Sequence, residues 1–438
     1  MPRAPGAVPL LGHVLQLVRD PFTFLSSLRR HGDVVRVNLG TLPVYFVTSA
    51  DLAQEVMVRQ ARSFEKGRFF DQLKLLVGNG IATASGEMHH RNRRLLQPMF
   101  TKDRIADYSD IMNRSARALA DAWQPGQTVD LELAMAEYSI ETLAETLFST
   151  DIGRPAVKAV RDNLPVVLAN LLKRAMSPKA LDRLPIRANR EFDAAAASLK
   201  SVIDDVIVAA RREGTSDRND LLSLLLKEKA LSDTEVRDEL STILFAGAET
   251  TAAALAWTFH ELASHPDVEK KIVAEIHEVV GDRQVTIQDI PKLTGIRRAL
   301  DEAVRLHGVT ILMRRTTTAV ELGGVTLPAG TEVAFSLYAI HRDPNVFDDA
   351  GTFNPDRWLP GNRDNIPRGA FTPFGAGNHK CIGEQYAWTE ATIALATLLS
   401  QWQFTPVPGH TPKEVASAVP HADSIPMTVT RRARDTSR

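Results

Sequence analysis

Apolar residues recur along this chain with two different periods. Across 86–100, 104–123, 133–149, 186–213 and 232–264 they return every three or four positions, the spacing of one face of an α-helix, so these segments are predicted helices. Val34–Leu39 and 44–48 run β-rich around Gly40-Thr41-Leu42-Pro43, which predicts a hairpin. A second β-rich stretch, 316–336, is broken by Gly323-Gly324 and by Pro328-Ala329-Gly330. The last predicted helix is the longest. It opens with a capping box, Ser232 to Glu235, and stops before Pro266. At about 1.5 Å per residue it spans roughly 48 Å, enough to cross the whole molecule. The expected fold class is therefore mainly α with small β-sheets. A length of 438 suggests about three domains at roughly 150 residues each, but no Ser/Gly-rich or charged linker divides the chain, and 1–438 reads as a single domain.

Composition narrows the partners. With a net charge of −1 and 24% charged residues, neither a nucleic-acid surface nor a basic membrane-binding face is indicated. Pro2, Pro5 and Pro9 interrupt an N-terminal apolar run that ends at His13, whereas a membrane span needs about 20 apolar residues. No signal peptide or membrane anchor is expected, and the predicted location is cytoplasmic. No internal repeat or low-complexity tract is visible.

The only cysteine, Cys381, lies in Phe374-Gly375-Ala376-Gly377-Asn378-His379-Lys380-Cys381-Ile382-Gly383, ahead of an alanine-rich helical stretch. A lone cysteine is usually a small buried hydrophobe. Three glycines change that reading, because they permit a tight turn and close backbone approach. Several N–H groups and the positive end of the following helix can then bear on one sulfur, and both favour the thiolate, so the segment is a seat for a metal-bound thiolate. A cysteine hydrolase would need a recognisable nucleophile motif with its histidine, and none is present.

Midway along the longest helix stands Ala246-Gly247-Ala248-Glu249-Thr250-Thr251, where glycine costs about 1 kcal/mol relative to alanine. On the simpler reading, small residues admit a neighbouring helix and the carboxylate faces solvent. On the functional one, Ala246 and Gly247 leave room for a flat cofactor with its bound O2. Thr250 then bonds back to the carbonyl of Ala246, opening a polar notch. Glu249, the only ionisable group in the motif, is placed to relay protons.

The cysteine segment resembles the haem-ligand loop of the cytochrome P-450 monooxygenases, Phe-Gly-x-Gly-x-(Arg or His)-x-Cys-x-Gly, with Ala387 also at its usual place. The helix motif matches that family's oxygen-activation motif, (Ala/Gly)-Gly-x-(Asp/Glu)-Thr-(Thr/Ser). The resemblance implies the family's α-helical fold, with haem b held between the long central helix and the cysteine loop. It makes Cys381 the iron ligand, framed by Phe374, Gly375 and Gly383. His379 becomes a haem-propionate contact, and Glu249 and Thr250 deliver protons to bound dioxygen. Thiolate ligation favours O–O cleavage, in keeping with that chemistry.

Further matches follow in the family's order. Glu302-Ala303-Val304-Arg305 and Asn354-Pro355-Asp356-Arg357-Trp358 resemble the buried charge triad, here Glu302, Arg305 and Arg357, with Gly308 where proline is common. His89 and Arg93, spaced i, i+4 within a basic cluster, occupy propionate-binding positions, with histidine in place of tryptophan; Arg314 occupies another. Arg91 and Arg94 either help form a basic patch for an acidic ferredoxin or face water. Phe69, Phe70, Leu73, Leu76, Thr310, Ile311 and Leu312 correspond to regions that approach the substrate pocket, and their apolar character implies a lipophilic substrate.

The expected function is insertion of one oxygen atom from O2 into a lipophilic natural product. Its electrons come from a separate ferredoxin and ferredoxin reductase, since no flavin or iron–sulfur motif is present. The wording of Pro5-Gly6-Ala7-Val8-Pro9-Leu10-Leu11-Gly12-His13 and of the cysteine loop is most similar to actinobacterial terpene oxidisers, with polyketide or macrolide tailoring as the alternative. A non-catalytic haem-thiolate sensor is a third reading, which Glu249-Thr250 opposes because a sensor needs no proton relay.

Overall fold

Helix Asp233–Ser264 runs through the core of the computed structural model, which describes residues 2–148, 158–160, 162–164, 166–167, 170, 184–214, 220–228 and 231–432. Its capping box forms as expected. Ser232 Oγ accepts from the Glu235 N–H at 3.3 Å and Glu235 Oε2 accepts from the Ser232 N–H at 2.8 Å, satisfying groups a helix end otherwise leaves orphaned. Five consecutive residues, Leu255, Ala256, Trp257, Thr258 and Phe259, are all buried. Five in a row face every direction, so this part of the helix is enclosed on all sides. The helix is long and apolar enough to cross a membrane, but most of it is covered by the rest of the chain.

Helices Leu131–Leu147, Arg187–Glu213, Thr294–Leu306 and Glu384–Gln401 pack against this central helix, and Lys102–Ala122 lies against Glu384–Gln401. The helix predicted over 86–100 ends at Leu96, and Gln97–Phe100 tightens into a 3-10 turn containing Pro98. The helix predicted over 133–149 begins earlier, at Leu131, because the Asp130 side chain caps it by accepting from the Glu132 N–H at 3.1 Å. Residue 149 lies outside the described residues.

The main sheet has the order β1-β2-β8-β5-β3, with β1 Val34–Leu39, β2 Leu42–Val47, β3 Phe64–Lys66, β5 Leu312–Thr316 and β8 Glu332–Phe335. The hairpin turn is tighter than predicted, because Leu42 and Pro43 already belong to β2. Proline is tolerated there since pairing with β8 begins only at Val44. The stretch 316–336 resolves into the end of β5, the small pair β6 Val320–Leu322 and β7 Val325–Leu327, and β8. A second sheet joins β4 Thr128–Asp130, β12 Pro426–Arg431 and β9 Trp402–Pro406, and a short hairpin joins β10 Glu414–Val415 to β11 His421–Ala422.

Glu302 and Arg305, on helix Thr294–Leu306, are fully buried and meet in a bidentate pair at 2.8 and 2.9 Å. The same carboxylate accepts from Arg357 Nε at 3.3 Å, Trp358 Nε1 at 2.9 Å and the Asn354 N–H at 3.0 Å. Arg305 in turn donates to the carbonyls of His341, Ala350 and Thr352 at 2.8, 2.7 and 3.2 Å. The three residues expected as a triad thus form a satisfied network, the condition under which buried charge is tolerated. Gly308 follows closely. A Cβ there would stand 2.9 Å from the Val304 carbonyl, so the chain turns where a side chain would not fit.

Removing one member leaves the others buried and unpaired, at a cost of about 3–5 kcal/mol. Arg305→Ala is expected to give little folded protein, measured as soluble yield and calorimetric melting; unchanged melting would contradict the burial.

Candidate functional site

The cysteine loop is a chain of close approaches. Gly375 and Gly377 have φ of +70° and +67°, in the left-handed region. A Cβ on Gly377 would lie 2.3 Å from the Met57 carbonyl oxygen, so this position requires glycine. The Cys381 N–H donates to the Phe374 carbonyl at 2.9 Å, closing the loop, and Phe374 packs edge-on against Trp388 at 5.1 Å. Gly383 is the N-cap of helix Glu384–Gln401. Cys381 is exposed, while surrounding protein still desolvates its sulfur. That desolvation pushes its pKa up; the Gly383 N–H, Arg93 and Lys380 oppose the rise, and Glu384 adds to it. Of the several N–H groups expected at the sulfur, the described residues supply one. The surrounding protein thus favours the thiol over the thiolate.

Above the loop lies a cluster of bases. β3 pairs antiparallel with β5 in a register that sets Lys66 opposite Arg314, and both are buried. Like charges directly opposed on a sheet are destabilising. His89 is buried, and its ring lies 4.2 Å from that of His379. Burial, reinforced by Arg314 and Arg93, drives the Lys66 pKa well down. Burial followed by the charge of Lys66 brings His89 to about 4 and His379 to about 2, and burial alone brings Arg314 to about 10. None of these four has a carboxylate partner within ion-pair distance among the described residues, and His379 Nδ1 is buried without a hydrogen bond. A group carrying two carboxylates fits such a set: it would supply the missing countercharge.

Arg93 sits beside this cluster, but its guanidinium donates to the Lys380 carbonyl at 2.6 Å and the Asn378 carbonyl at 3.4 Å. It braces the cysteine loop. Arg91, read either as part of a basic patch or as facing water, is partly exposed and ion-paired. It pairs with Glu235 at 2.5 Å and, with the Ser232 N–H, holds that carboxyl down at about 2. Arg94 is exposed.

On the central helix, Thr250 Oγ1 donates to the Ala246 carbonyl at 2.8 Å, as expected. Ala246 is exposed while Ile243, Leu244, Ala248 and Ala252 around it are buried, which marks an opening in the core. Gly247 differs from its expected role. A Cβ there would meet Leu143 Cδ2 at 2.7 Å, so the glycine admits helix Leu131–Leu147, and the space at the opening comes from Ala246. Glu249 turns its carboxyl inward, where Oε1 accepts from Ser417 Oγ at 2.5 Å. Burial raises its pKa; Ser417 and His421 oppose the rise and Glu132 adds to it.

The proposed pocket residues divide. Leu73 and Leu76 pack with Phe192, Ala195 and Ala196 in a local core. Phe70 covers the base cluster, with Lys66 Nζ 4.6 Å and the Arg314 guanidinium 5.6 Å from its ring centroid. Phe69 and Ile311 flank the core beneath the main sheet, and Leu312 flanks another. Thr310 is buried, its N–H donating to the Ala418 carbonyl at 3.0 Å, with Oγ1 unpartnered. Lys66 and Ser417 were not singled out in the sequence. Each acquires its setting only through pairing with a distant segment, and neither belongs to a recognisable motif.

A family model described as Cytochrome P450 matches residues 2–422. The cyclooctat-9-en-7-ol 5-monooxygenase of Streptomyces melanosporofaciens is 42% identical over 416 residues, covering 93% of this chain and 90% of the relative. Cyclooctatin synthase of the same organism is 40% identical over 415 residues, with the same coverage. Pentalenene oxygenase of Streptomyces avermitilis is 38% identical over 437 residues, covering 98% and 97%. The crystal structure of the cytochrome P450DA heme domain superposes with a TM-score of 0.87 at 26% identity, covering 99% of this chain and 98% of that one. A glycine-framed thiol, a threonine-notched central helix and an unneutralised base cluster are thus carried by a chain whose fold and sequence agree along nearly their whole length, and the chain belongs to the cytochrome P450 family.

Proposed function

We propose that this monooxygenase is a haem b enzyme of the cytoplasm that inserts one oxygen atom of O2 into a lipophilic terpenoid, with electrons from a separate ferredoxin and its reductase. The observation that carries the haem reading is the base cluster, four desolvated donors without an acid among them. Lys66, Arg314, His89 and His379 would hold the two propionates, and Cys381 would ligate the iron. When bound, haem supplies the site's redox chemistry with O2. The chain's own residues do the rest. Arg93 and the Phe374 carbonyl keep the cysteine loop in shape, and Ala246 leaves space at the opening. Thr250 presents its hydroxyl there, and Glu249, its proton held more firmly by burial, is the acid behind it. A terpenoid substrate is supported by the names of the three Streptomyces relatives. The external donor is supported by composition, since one cysteine cannot hold a four-cysteine iron–sulfur cluster.

The substrate reading is tested by spectral titration against cyclic sesquiterpenes, diterpenes and macrolides, followed by turnover of the best binder. A terpene should bind tightest and gain one oxygen only when ferredoxin and reductase are added to the nicotinamide cofactor. Preference for macrolides would favour polyketide tailoring, and turnover without added protein would overturn the external donor.

The base cluster makes a two-sided prediction. Lys66→Met should weaken haem retention on the order of tenfold or more, as expected for a lost charge-assisted hydrogen bond of about 1.5–3 kcal/mol. Because the depressed Lys66 pKa means that its charge destabilises the haem-free fold at neutral pH, the same variant should stabilise that form. Haem transfer to a globin acceptor and calorimetry of the haem-free chain measure the two effects; a loss of stability would sink the countercharge argument.

Thr250→Ala should bind substrate normally but release more O2 as hydrogen peroxide, and Glu249→Gln should slow oxygen activation by about 10²–10⁴-fold. Product formed per nicotinamide oxidised measures both. Wild-type coupling and rate in the two variants would reduce the motif to helix packing.

A further inference from the structure

The hairpin that carries Ser417 is held in place at several independent points. At its base, Glu414 Oε1 pairs with His307 Nδ1 at 2.6 Å, and Glu414 Oε2 accepts from Tyr338 OH at 2.7 Å. Arg342 adds a third contact at 3.4 Å. Past the tip, the Ala418 carbonyl accepts from the Thr310 N–H and the Pro420 carbonyl from Trp257 Nε1, each at 3.0 Å. The Ala422 N–H then donates to Glu132 Oε2 at 3.2 Å. Trp257 belongs to the central helix itself, eight residues beyond Glu249, so one rigid element sets both the hairpin and the carboxyl that the hairpin touches. His307 is further fixed by stacking on Trp257, with ring centroids 4.0 Å apart and 2° between planes.

Ser417 is buried at this tip, and its hydroxyl meets Glu249 Oε1 at 2.5 Å. We propose that Ser417 is a positioning residue for Glu249, holding its carboxyl in a single orientation from a hairpin that the fold keeps still. A hydroxyl that donates to a carboxylate favours the charged form, so the contact fixes direction and also tempers the effect of burial. The other titratable groups facing Glu249 are His421, on the same hairpin, and Glu132, on helix Leu131–Leu147, and their charges act in opposite senses. His421 is about one-third exposed, its Nδ1 3.9 Å from Glu132 Oε1, which gives this side of the acid a solvent-facing end.

The inference rests on Glu249 being the site's acid, and its test separates the two claims. In the haem-loaded full-length protein, infrared difference spectra across pH follow the Glu249 carboxyl, identified by the band that Glu249→Gln removes. Ser417→Ala should raise the proton affinity of that carboxyl on the order of tenfold, and Ser417→Thr, which keeps the hydroxyl, should restore it. Melting should stay near that of the parent. A carboxyl titration unmoved by Ser417→Ala, with Glu249 still assigned, overturns the proposal. Peroxide release should rise in Ser417→Ala and rise no further when Glu249→Gln is added. A moved titration with unchanged peroxide release supports positioning by Ser417 and removes the relay role from Glu249.

Discussion

A carboxylate with no exposure, Glu302, is the constraint on which the lower half of the molecule depends. It joins a helix of the core to the irregular segment 341–358, which has little secondary structure of its own and leads to the cysteine loop. Irregular backbone needs partners for its carbonyls, and Arg305 supplies three of them from a position fixed by its pair with Glu302. His341, in the same segment, is buried, brought to about 3 first by burial and then by Arg305, and so stays neutral; its Nε2 accepts from the Thr372 N–H at 3.1 Å. Two residues later the chain enters the loop at Phe374. One ion pair thus orders the path to Cys381 without touching it.

The site above that path stores unfavourable electrostatics. Four bases cluster together, three of them buried and two set side by side by strand register, and burial raises the pKa of the Cys381 thiol. Each feature is costly in the chain by itself, and on the proposed reading a dianionic cofactor carrying a cationic metal would relieve it. At Gly247 the helix gives up about 1 kcal/mol of intrinsic propensity relative to alanine, and in return helix Leu131–Leu147 packs where a Cβ would meet Leu143 at 2.7 Å.

Local features were the legible ones. The capping box at Ser232, the Thr250 to Ala246 hydrogen bond, the glycine loop and the Glu302 to Arg305 spacing all lie within a few residues of sequence, and the structure holds each of them. What could not be read depends on tertiary pairing. Lys66 is an ordinary lysine until β3 lies beside β5, and Ser417 is an ordinary serine until the hairpin meets the central helix. Gly247 was assigned to the wrong neighbour because a helix motif does not say which face meets Leu143. Phe70 reads as pocket lining by composition, but its ring lies on two cations.

The order of the main sheet also governs how the protein can be made. β2 ends at Val47 and its parallel partner β8 begins at Glu332, with the helical body between them. During synthesis at about 5–20 residues per second, β1 and β2 must wait on the order of tens of seconds with one edge unpaired. That edge is apolar, carrying Val44, Phe46 and Val47, and an unpaired apolar edge is a template for other chains. Lys66 meets Arg314 in the same late step, since both depend on β5. Until Glu332 is made, the apolar edge of β2 has no partner in this chain, so the sheet cannot close before about three-quarters of the sequence exists.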